Sequence, residues 1–168
     1  LPQEGISVHI ESSLPIGRGM GSSAALAVAL ARASLRWEQR PVTDDEVNKH
    51  AFSIERIFHG NPSGVDHTVS MRGGTVQYKK NDDGPEFQSI KVPPLPIVVI
   101  DSGSAGNTAE MVEHVRGRLG DVETYIEQIG ALVASTLPAM KAGDLSTVGQ
   151  SWHENHLLLR ALGVSTPT

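Results

Sequence analysis

The chain has 168 residues, of which 39% are hydrophobic and 20% are charged, a composition typical of a globular domain rather than a disordered segment. Its net charge of -5 argues against a protein that binds nucleic acid over a broad basic surface, and no apolar stretch approaches the roughly 18 residues that span a bilayer. Cysteine is absent, which excludes disulfides, zinc–thiolate sites and thiol nucleophiles. We therefore expect a cytoplasmic protein without a nucleic-acid or membrane partner.

The first predicted elements are a strand and two helices. Residues 6–12 alternate apolar and polar side chains, which predicts a half-buried strand. From residue 22 to about residue 36 the chain consists of strong helix formers that are nearly all apolar, so we expect a helix buried on most sides. Thr43 and Glu46 form a capping-box pattern, which predicts that a second helix begins there and covers residues 43–59.

The rest of the chain predicts a loop, a hairpin, a buried strand and three helices. Residues 59–66, HGNPSGVD, have the composition of a loop. Residues 72–80 predict a strand entered through a Gly-Gly turn, and the turn NDDG at 81–84 leads into a second strand. Residues 96–103, PIVVIDSG, predict a fully buried strand. The helices that follow are predicted over about 108–119, 121–141 and 144–161.

The order of these elements indicates a two-layer α/β or α+β domain. Both ends of the chain look cut. The first strand begins almost at the first residue, and nothing is left to pack after the last helix. We therefore expect partners to be missing at both edges.

The junction between a glycine-rich turn and the first helix is the strongest candidate for a ligand site. Gly17, Gly19 and Gly21 allow close approach and positive φ angles, and the first-turn amides of a helix carry partial positive charge. Ser22 and Ser23 add hydroxyls that can cap the helix, bind a phosphate oxygen or ligate Mg²⁺. We expect a triphosphate at this junction. The alternative is a loop that caps a buried helix and binds no ligand. The pattern is neither a Walker A motif, because no lysine follows, nor a good dinucleotide fingerprint.

The complete pattern from Pro15 to Ala25, P-x-G-x-G-x-G-S-S-A-A, resembles the phosphate-binding motif of the GHMP small-molecule kinases. Met20 stands where leucine is more usual. Residues 55–70, ERIFHGNPSGVDHTVS, resemble the mevalonate kinases within that family. Two further matches are the segment from Asp101 to Thr108 and the tail at 155–167, so the resemblance covers essentially the whole chain.

The resemblance implies an α+β fold of the GHMP kinase type, incomplete at both ends. It has a ribosomal-protein-S5-like N-terminal part and a helical, ferredoxin-like C-terminal part. Residues 1–93 would belong to the ATP-binding domain and residues 94–168 to the substrate-side domain. The family pattern also includes a lysine-bearing N-terminal segment and a glycine-rich C-terminal segment, and neither occurs in the 168 residues. We therefore expect a central piece of a longer enzyme with little or no activity alone.

The implied reaction is ATP-dependent phosphorylation of the C5 hydroxyl of mevalonate, with Mg²⁺ as a cofactor. Asp66 matches the catalytic aspartate, which accepts or orients the proton of the substrate hydroxyl. Ser23 and Glu55 match the Mg²⁺ ligands. The residues matched to the substrate pocket are His59, Ser63 and Thr108. The residues matched to the triphosphate loop are Gly17, Arg18, Gly19, Met20, Gly21, Ser22 and Ser23.

Taken alone, the two acidic residues have ordinary explanations. A carboxylate in a Gly/Pro loop such as Asp66 is more often a turn former, and Glu55 on a charged helix face is more often solvated. Two other functions stay open: another GHMP kinase, acting on phosphomevalonate or a sugar, or a non-catalytic fragment that binds nucleotide or protein. A homodimer also stays open, because dimers are common in the family.

Overall fold

The computed structural model describes residues 5–60, 62–81, 84–101, 103 and 108–165. These residues form six helices and a two-stranded antiparallel sheet, in agreement with the predicted α+β class. None of these described helices is long and apolar enough to cross a membrane. The elements in chain order are α1 (Ser22–Trp37), α2 (Asp44–His59), α3 (Val65–Arg72), β1 (Thr75–Asn81), β2 (Gly84–Ile90), α4 (Thr108–Arg116), α5 (Leu119–Ala142) and α6 (Leu145–Leu162).

Helix α1 lies at the centre of the N-terminal group of helices and packs against both α2 and α3. Its buried face is made mostly of alanine, which lets the neighbouring helices approach closely. The predicted bounds are confirmed within one residue, but the predicted burial on most sides is wrong. Ala29 and Ala33 are exposed, because the described neighbours cover only one face. The residues of α1 that are buried are Ala24, Ala27, Val28, Ala31 and Leu35.

Helix α2 begins as the capping-box pattern predicts. The Thr43 hydroxyl oxygen accepts a hydrogen bond from the Glu46 amide at 3.3 Å, which satisfies one of the free donors of the first turn. Val47 and Ala51 then pack into the core against α1. This helix carries Glu55 and His59 at its C-terminal end, where the candidate site lies.

Helix α3 was not predicted. The predicted loop at 59–66 is shorter in the structure, because α2 ends at His59 and α3 begins at Val65. Gly64, with φ 93°, precedes the helix. The eight residues of α3 are too few and too polar to show a helical period. Its inward side chains His67, Thr68 and Met71 are buried.

The predicted hairpin is confirmed as strands β1 and β2, which pair from Thr75↔Ile90 to Asn81↔Gly84. The turn predicted between them falls largely on residues 82–83, outside the described residues. Tyr78 and Phe87 lie opposite each other with ring centroids 5.1 Å apart. The hairpin therefore holds Tyr78 in a fixed position beside the loop that follows α2.

The other two predicted strands are wrong. Residues 5–13 and 91–101 contain no regular structure, and the side chains of Val98 and Ile100 are 83% and 85% exposed. Alternating apolar and polar residues, or a run of branched apolar residues, make a segment suitable for a strand. A strand also needs a neighbour for its backbone hydrogen bonds, and the described residues supply none.

The three C-terminal helices are confirmed, with ends within about three residues of the prediction. Helices α5 and α6 pack against each other across the short connection at Gly143 and Asp144. The Asp144 carboxylate accepts hydrogen bonds from the amide and the hydroxyl of Thr147, which lowers the pKa of Asp144 and fixes the start of α6. The proposed division of the chain between residues 93 and 94 stays a prediction.

Candidate active site

A cavity of about 460 Å³ lies between the N-terminal helices and α4. The end of α2, the loop after it and the start of α3 form one wall, and one side of α4 forms the other. The lining residues are Glu55, His59, Pro62, Ser63, Gly64, Asp66, His67, Thr108, Val112, Glu113 and Arg116.

Glu55 is the most unusual residue of this cavity. It is only 2% exposed, and its Oε1 atom has no hydrogen-bond partner among the described residues. Its Oε2 atom lies 3.8 Å from Nε2 of His59, one helical turn further along α2. A carboxylate on a charged helix face is usually solvated, and burial with an unsatisfied oxygen is costly. The packing of the core therefore does not explain Glu55, whereas a bound cation would.

His59 connects the end of α2 to the start of α1. Its Nε2 atom is hydrogen-bonded to the Ser23 hydroxyl at 3.1 Å. Ser23 therefore lies beside His59 and Glu55, although 36 positions separate it from His59 in sequence. The hydroxyl and carboxylate oxygens of Ser23 and Glu55 are hard donors of the kind that Mg²⁺ prefers.

A magnesium site here would use few protein ligands. Within the described residues, no group of three His, Cys, Asp or Glu side chains converges on a point that could hold a metal ion. Mg²⁺ usually takes one or two carboxylates and completes its shell with phosphate and water oxygens. Glu55 and Ser23 fit that pattern for an ion that arrives with a nucleotide.

The loop between α2 and α3 is held in shape by backbone turns and by β1. Gly60 and Gly64 both have positive φ angles, of 68° and 93°, which residues other than glycine rarely adopt. The Tyr78 hydroxyl donates a hydrogen bond to the Ser63 carbonyl oxygen at 2.8 Å, and the Ser63 hydroxyl accepts one from the Val65 amide. These contacts fix the position at which α3 begins.

Asp66 lies in the first turn of α3, not on the loop as predicted. The correction follows from Gly64, which ends the loop two residues before Asp66. The first turn of a helix has backbone amides without intrahelical partners, and Asp66 lies next to them. Asp66 is exposed to the cavity.

His67 is a lining residue that sequence analysis missed. Its side chain is buried next to the ring of Phe52, and within the described part of the chain its Nδ1 atom has no hydrogen-bond partner. Burial lowers the pKa of His67 below its ordinary value, although the neighbouring Asp66 charge acts in the opposite direction. The imidazole is therefore neutral near pH 7. A single histidine beside an aspartate gives no pattern that a sequence could reveal.

The glycine-rich turn lies at the start of α1, next to this cavity but not in its described lining. Gly17, Gly19 and Gly21 have φ angles of 72°, 71° and 68°, and no described atom lies within 4 Å of the place where a Cβ would stand. The N-cap residue of α1 is Gly21, which has no side chain that could accept a hydrogen bond from the first-turn amides. The turn therefore has the open arrangement of an anion site.

Arg18 ties this turn to the segment before α4. Its Nε atom lies 3.4 Å from Oδ2 of Asp101, and Oδ1 of Asp101 accepts a hydrogen bond from the Gly103 amide at 2.8 Å. The guanidinium of Arg18 therefore faces a carboxylate in this structure. The ion pair is a contact between the glycine-rich turn and the segment before α4.

The structure thus brings half of the twelve predicted site residues to one place. Five of them line the cavity: Glu55, His59, Ser63, Asp66 and Thr108. Ser23 is joined to the cavity through His59. The predicted phosphate-loop residues outside the described lining are Gly17, Arg18, Gly19, Met20, Gly21 and Ser22.

Sequence analysis also missed the contribution of α4 beyond Thr108. Val112 and Arg116 follow Thr108 at intervals of four residues and therefore share its helix face. A search along that face, once Thr108 was chosen, would have found both residues.

Comparison with known proteins agrees with the motifs. Residues 1–74 match the family model described as the GHMP kinases N terminal domain. The chain is 39% identical to the mevalonate kinase of Thermococcus sibiricus over 98% of its own length and 51% of that protein. It is also 39% identical to the mevalonate kinase of Pyrococcus horikoshii, covering 96% of the chain and 50% of that protein. The mevalonate kinase ERG12 of Gibberella zeae is 33% identical, covering 94% of the chain and 37% of the relative. The chain spans about half the length of the archaeal relatives it matches.

A solved structure shows the same fold. The crystal structure of L. major mevalonate kinase in complex with R-mevalonate superposes with a TM-score of 0.72 and 29% sequence identity, over 88% of this chain and 47% of that one. The chain is therefore similar to the GHMP kinases, in sequence over residues 1–74 and in fold over most of its length. More particularly, the relatives that it matches along nearly its whole length are mevalonate kinases, as the motifs predicted.

Proposed function

We propose that the native protein transfers the γ-phosphoryl group of ATP to the C5 hydroxyl of mevalonate. The observation that carries the proposal is the convergence on one cavity of Asp66, Glu55 and His59, with His59 bonded to Ser23 at the start of α1. This arrangement supports the proposal, because a candidate proton acceptor, two candidate cation ligands and a candidate anion-binding helix end would then act side by side. Phosphoryl transfer needs these parts and little covalent chemistry from the protein.

The start of α1 is the proposed binding place for the terminal phosphates of ATP. The positive φ angles of Gly17, Gly19 and Gly21 curve the chain around open space. Amides and helix dipole together attract phosphate oxygens there. Arg18 can add its guanidinium when a phosphate competes with Asp101 for it.

Glu55 and Ser23 are the proposed protein ligands of Mg²⁺. The buried Oε1 atom of Glu55, which finds no partner among the residues that the structure describes, supports this role, because a cation would supply a partner. When bound, Mg²⁺ neutralises the charge that builds up on the phosphoryl oxygens during transfer. His59, which contacts both side chains, holds them in position.

Asp66 is the proposed acceptor of the hydroxyl proton. As the new bond forms between the C5 oxygen and the γ-phosphorus, the bond from that phosphorus to the bridging oxygen of ADP breaks. The proton of the hydroxyl then passes to the Asp66 carboxylate. Thr108 lines the opposite wall of the same cavity and is the proposed residue that holds the alcohol. Ser63, which also lines the cavity, shapes the substrate pocket.

The proposal also covers the cellular location and the oligomeric state of the protein. The absence of cysteine from all 168 residues supports a cytoplasmic location. A homodimer follows only from the resemblance, since dimers are common in that family. Analytical ultracentrifugation of the native protein tests it.

The direct test is a substrate comparison with the native full-length protein. ATP is supplied with mevalonate, phosphomevalonate, galactose or homoserine, and the phosphorylated product is identified by mass spectrometry. We expect 5-phosphomevalonate to form in a Mg²⁺-dependent reaction, orders of magnitude faster than any other product. Faster phosphorylation of phosphomevalonate or a sugar would assign another kinase of the family. Nucleotide binding without transfer to any alcohol would favour a non-catalytic function.

A further inference from the structure

The described lining of the cavity carries more acidic than basic side chains. The described lining contains the carboxylates of Glu55, Asp66 and Glu113, and Arg116 is its only lysine or arginine. A ligand that carries its own negative charge would be repelled by these carboxylates unless a cation faced it. Arg116 is therefore the residue of this lining best suited to an anionic group.

Arg116 shares one face of α4 with the residue proposed to hold the alcohol. Thr108, Val112 and Arg116 are spaced by four residues, and Thr108 lies about 12 Å from Arg116 along the helix axis. Long side chains in helices lean toward the N-terminus, which here means toward Thr108. Thr108 and Arg116 both line the cavity, so they can face the two ends of a short extended ligand with a hydroxyl at one end and an anion at the other. Val112 lies between them, against the apolar middle of such a chain.

The present partner of Arg116 is easily exchanged. Its Nη1 atom donates to Oε2 of Glu113 at 3.0 Å, but the two side chains are 57% and 69% exposed. Exposed ion pairs of this kind contribute little to stability. A guanidinium binds a carboxylate through two parallel hydrogen bonds, so an incoming carboxylate can displace Glu113 without breaking a buried contact.

We propose that Arg116 binds the carboxylate of the substrate and that the cavity therefore selects short hydroxy acids over neutral alcohols. Glu113 competes with the substrate for the same guanidinium. This inference rests on the proposed function and adds a specificity-determining residue to it.

The first test uses the native full-length protein and the Arg116→Gln variant, with mevalonate and with its neutral amide as substrates. We expect the KM for mevalonate to rise by about tenfold to hundredfold, the worth of a charge-assisted hydrogen bond. The KM for the amide, the KM for ATP and kcat should stay within about twofold. The Arg116→Lys variant should recover part of the affinity. An exposed arginine on α1, changed as Arg36→Gln, is the matched control and should change none of these values.

The second test separates substrate binding from a merely structural ion pair. The Glu113→Gln variant should lower the KM for mevalonate or leave it unchanged, because it frees the guanidinium. If the pair only held α4 in place, both variants would raise KM for the acid and the amide alike. That outcome would overturn the inference, as would an unchanged KM in Arg116→Gln.

The inference can fail separately from the proposed function. If the wild-type protein phosphorylates no hydroxy acid, the proposed function fails, and calorimetric titration with mevalonate then tests Arg116 alone. Binding of the acid that is lost in Arg116→Gln would still support the inference. Equal binding, or no binding, in both proteins would overturn it.

Discussion

At the scale of single residues, Glu55 lowers the stability of the ligand-free protein but is suited to bind a cation. Its carboxylate is buried, and one of its oxygens has no partner in the part of the chain that the structure describes, a state that the removal of water makes costly. Local violations of good packing are expected at functional sites. The resemblance alone suggested a ligand role for Glu55, and the structure adds a physical reason for it.

The first prediction is that Glu55→Gln separates stability from activity. A neutral amide is less costly to bury, so we expect the free energy of unfolding of the ligand-free native protein to rise by about 1–3 kcal/mol. Kinase activity should fall at least about tenfold and require more Mg²⁺, because a ligand charge is lost. Urea unfolding and a Mg²⁺ titration of the rate measure the two effects. Glu123→Gln, at an exposed position of α5, should change neither. A destabilised but fully active variant would contradict the assignment.

The second prediction concerns His67 and pH. Burial lowers the pKa of His67 in the folded state, so below its ordinary value of 6.5 the unfolded chain binds a proton that the folded chain does not. Stability should therefore be complete above that value and decrease as the pH falls below it. The His67→Gln variant should lose less stability than wild type between about pH 7.5 and about pH 5.5. Urea unfolding at both pH values measures this difference. Parallel losses in the two proteins would contradict it, and the exposed His156→Gln is the control.

At the scale of elements, prediction succeeded where the signal was local. Thr43 begins α2 through a hydrogen bond to a residue three positions away, and Gly21 begins α1 through its own backbone angle. The hairpin joined two neighbouring segments and was found for the same reason. The strands at 6–12 and 96–103 failed because a strand depends on a partner that its own sequence does not contain.

The third prediction compares two glycines in different conformations. Gly21 has φ 68°, so Gly21→Ala should cost roughly 1–2 kcal/mol of stability and weaken nucleotide binding. Gly130 lies inside α5 with no positive φ and no described atom near its Cβ position, so Gly130→Ala should gain about 0.5–1 kcal/mol. Thermal unfolding and titration with a fluorescent ATP analogue measure both. Opposite signs of the stability change are expected, and equal signs would contradict the role of the turn.

At the scale of the whole molecule, two segments expose apolar side chains that a folded core would cover. Ile6, Val8 and Ile10 are exposed near the start, and residues 97–100 are exposed before α4. Contiguous exposed apolar surface favours association. The exposure is a property of the 168 residues, which span about half the length of the archaeal relatives they match.

The fourth prediction is that the 168-residue chain alone self-associates and binds a hydrophobic dye. Replacing two of its most exposed residues, as Val98→Thr with Ile100→Thr, should reduce both effects, because it removes apolar surface without disturbing a packed neighbour. Val133→Thr, a single exposed position on α5, should have a much smaller effect. Light scattering and dye fluorescence measure the outcome. An isolated chain that stays monomeric and binds no dye would contradict the prediction.

The site itself could be predicted only as far as motifs reach. Glu55, His59, Ser63 and Asp66 lie within twelve residues of sequence and were found together. The hydrogen bond between Ser23 and His59 and the approach of Arg116 to the cavity depend on how distant segments pack, which no local pattern encodes. Of the residues on the opposite wall of the cavity, sequence analysis therefore identified only Thr108.

The measurement that tests the central claim most directly is phosphoryl transfer by the Asp66→Asn variant of the native protein. The variant keeps the shape of Asp66 but cannot accept the hydroxyl proton. We therefore expect kcat to fall by about 10²- to 10⁴-fold, with the dissociation constants for ATP and mevalonate within a few-fold of wild type. Asp121→Asn, at an exposed position of α5, should leave the rate unchanged. A variant at Asp66 that turns over at the wild-type rate would contradict the account.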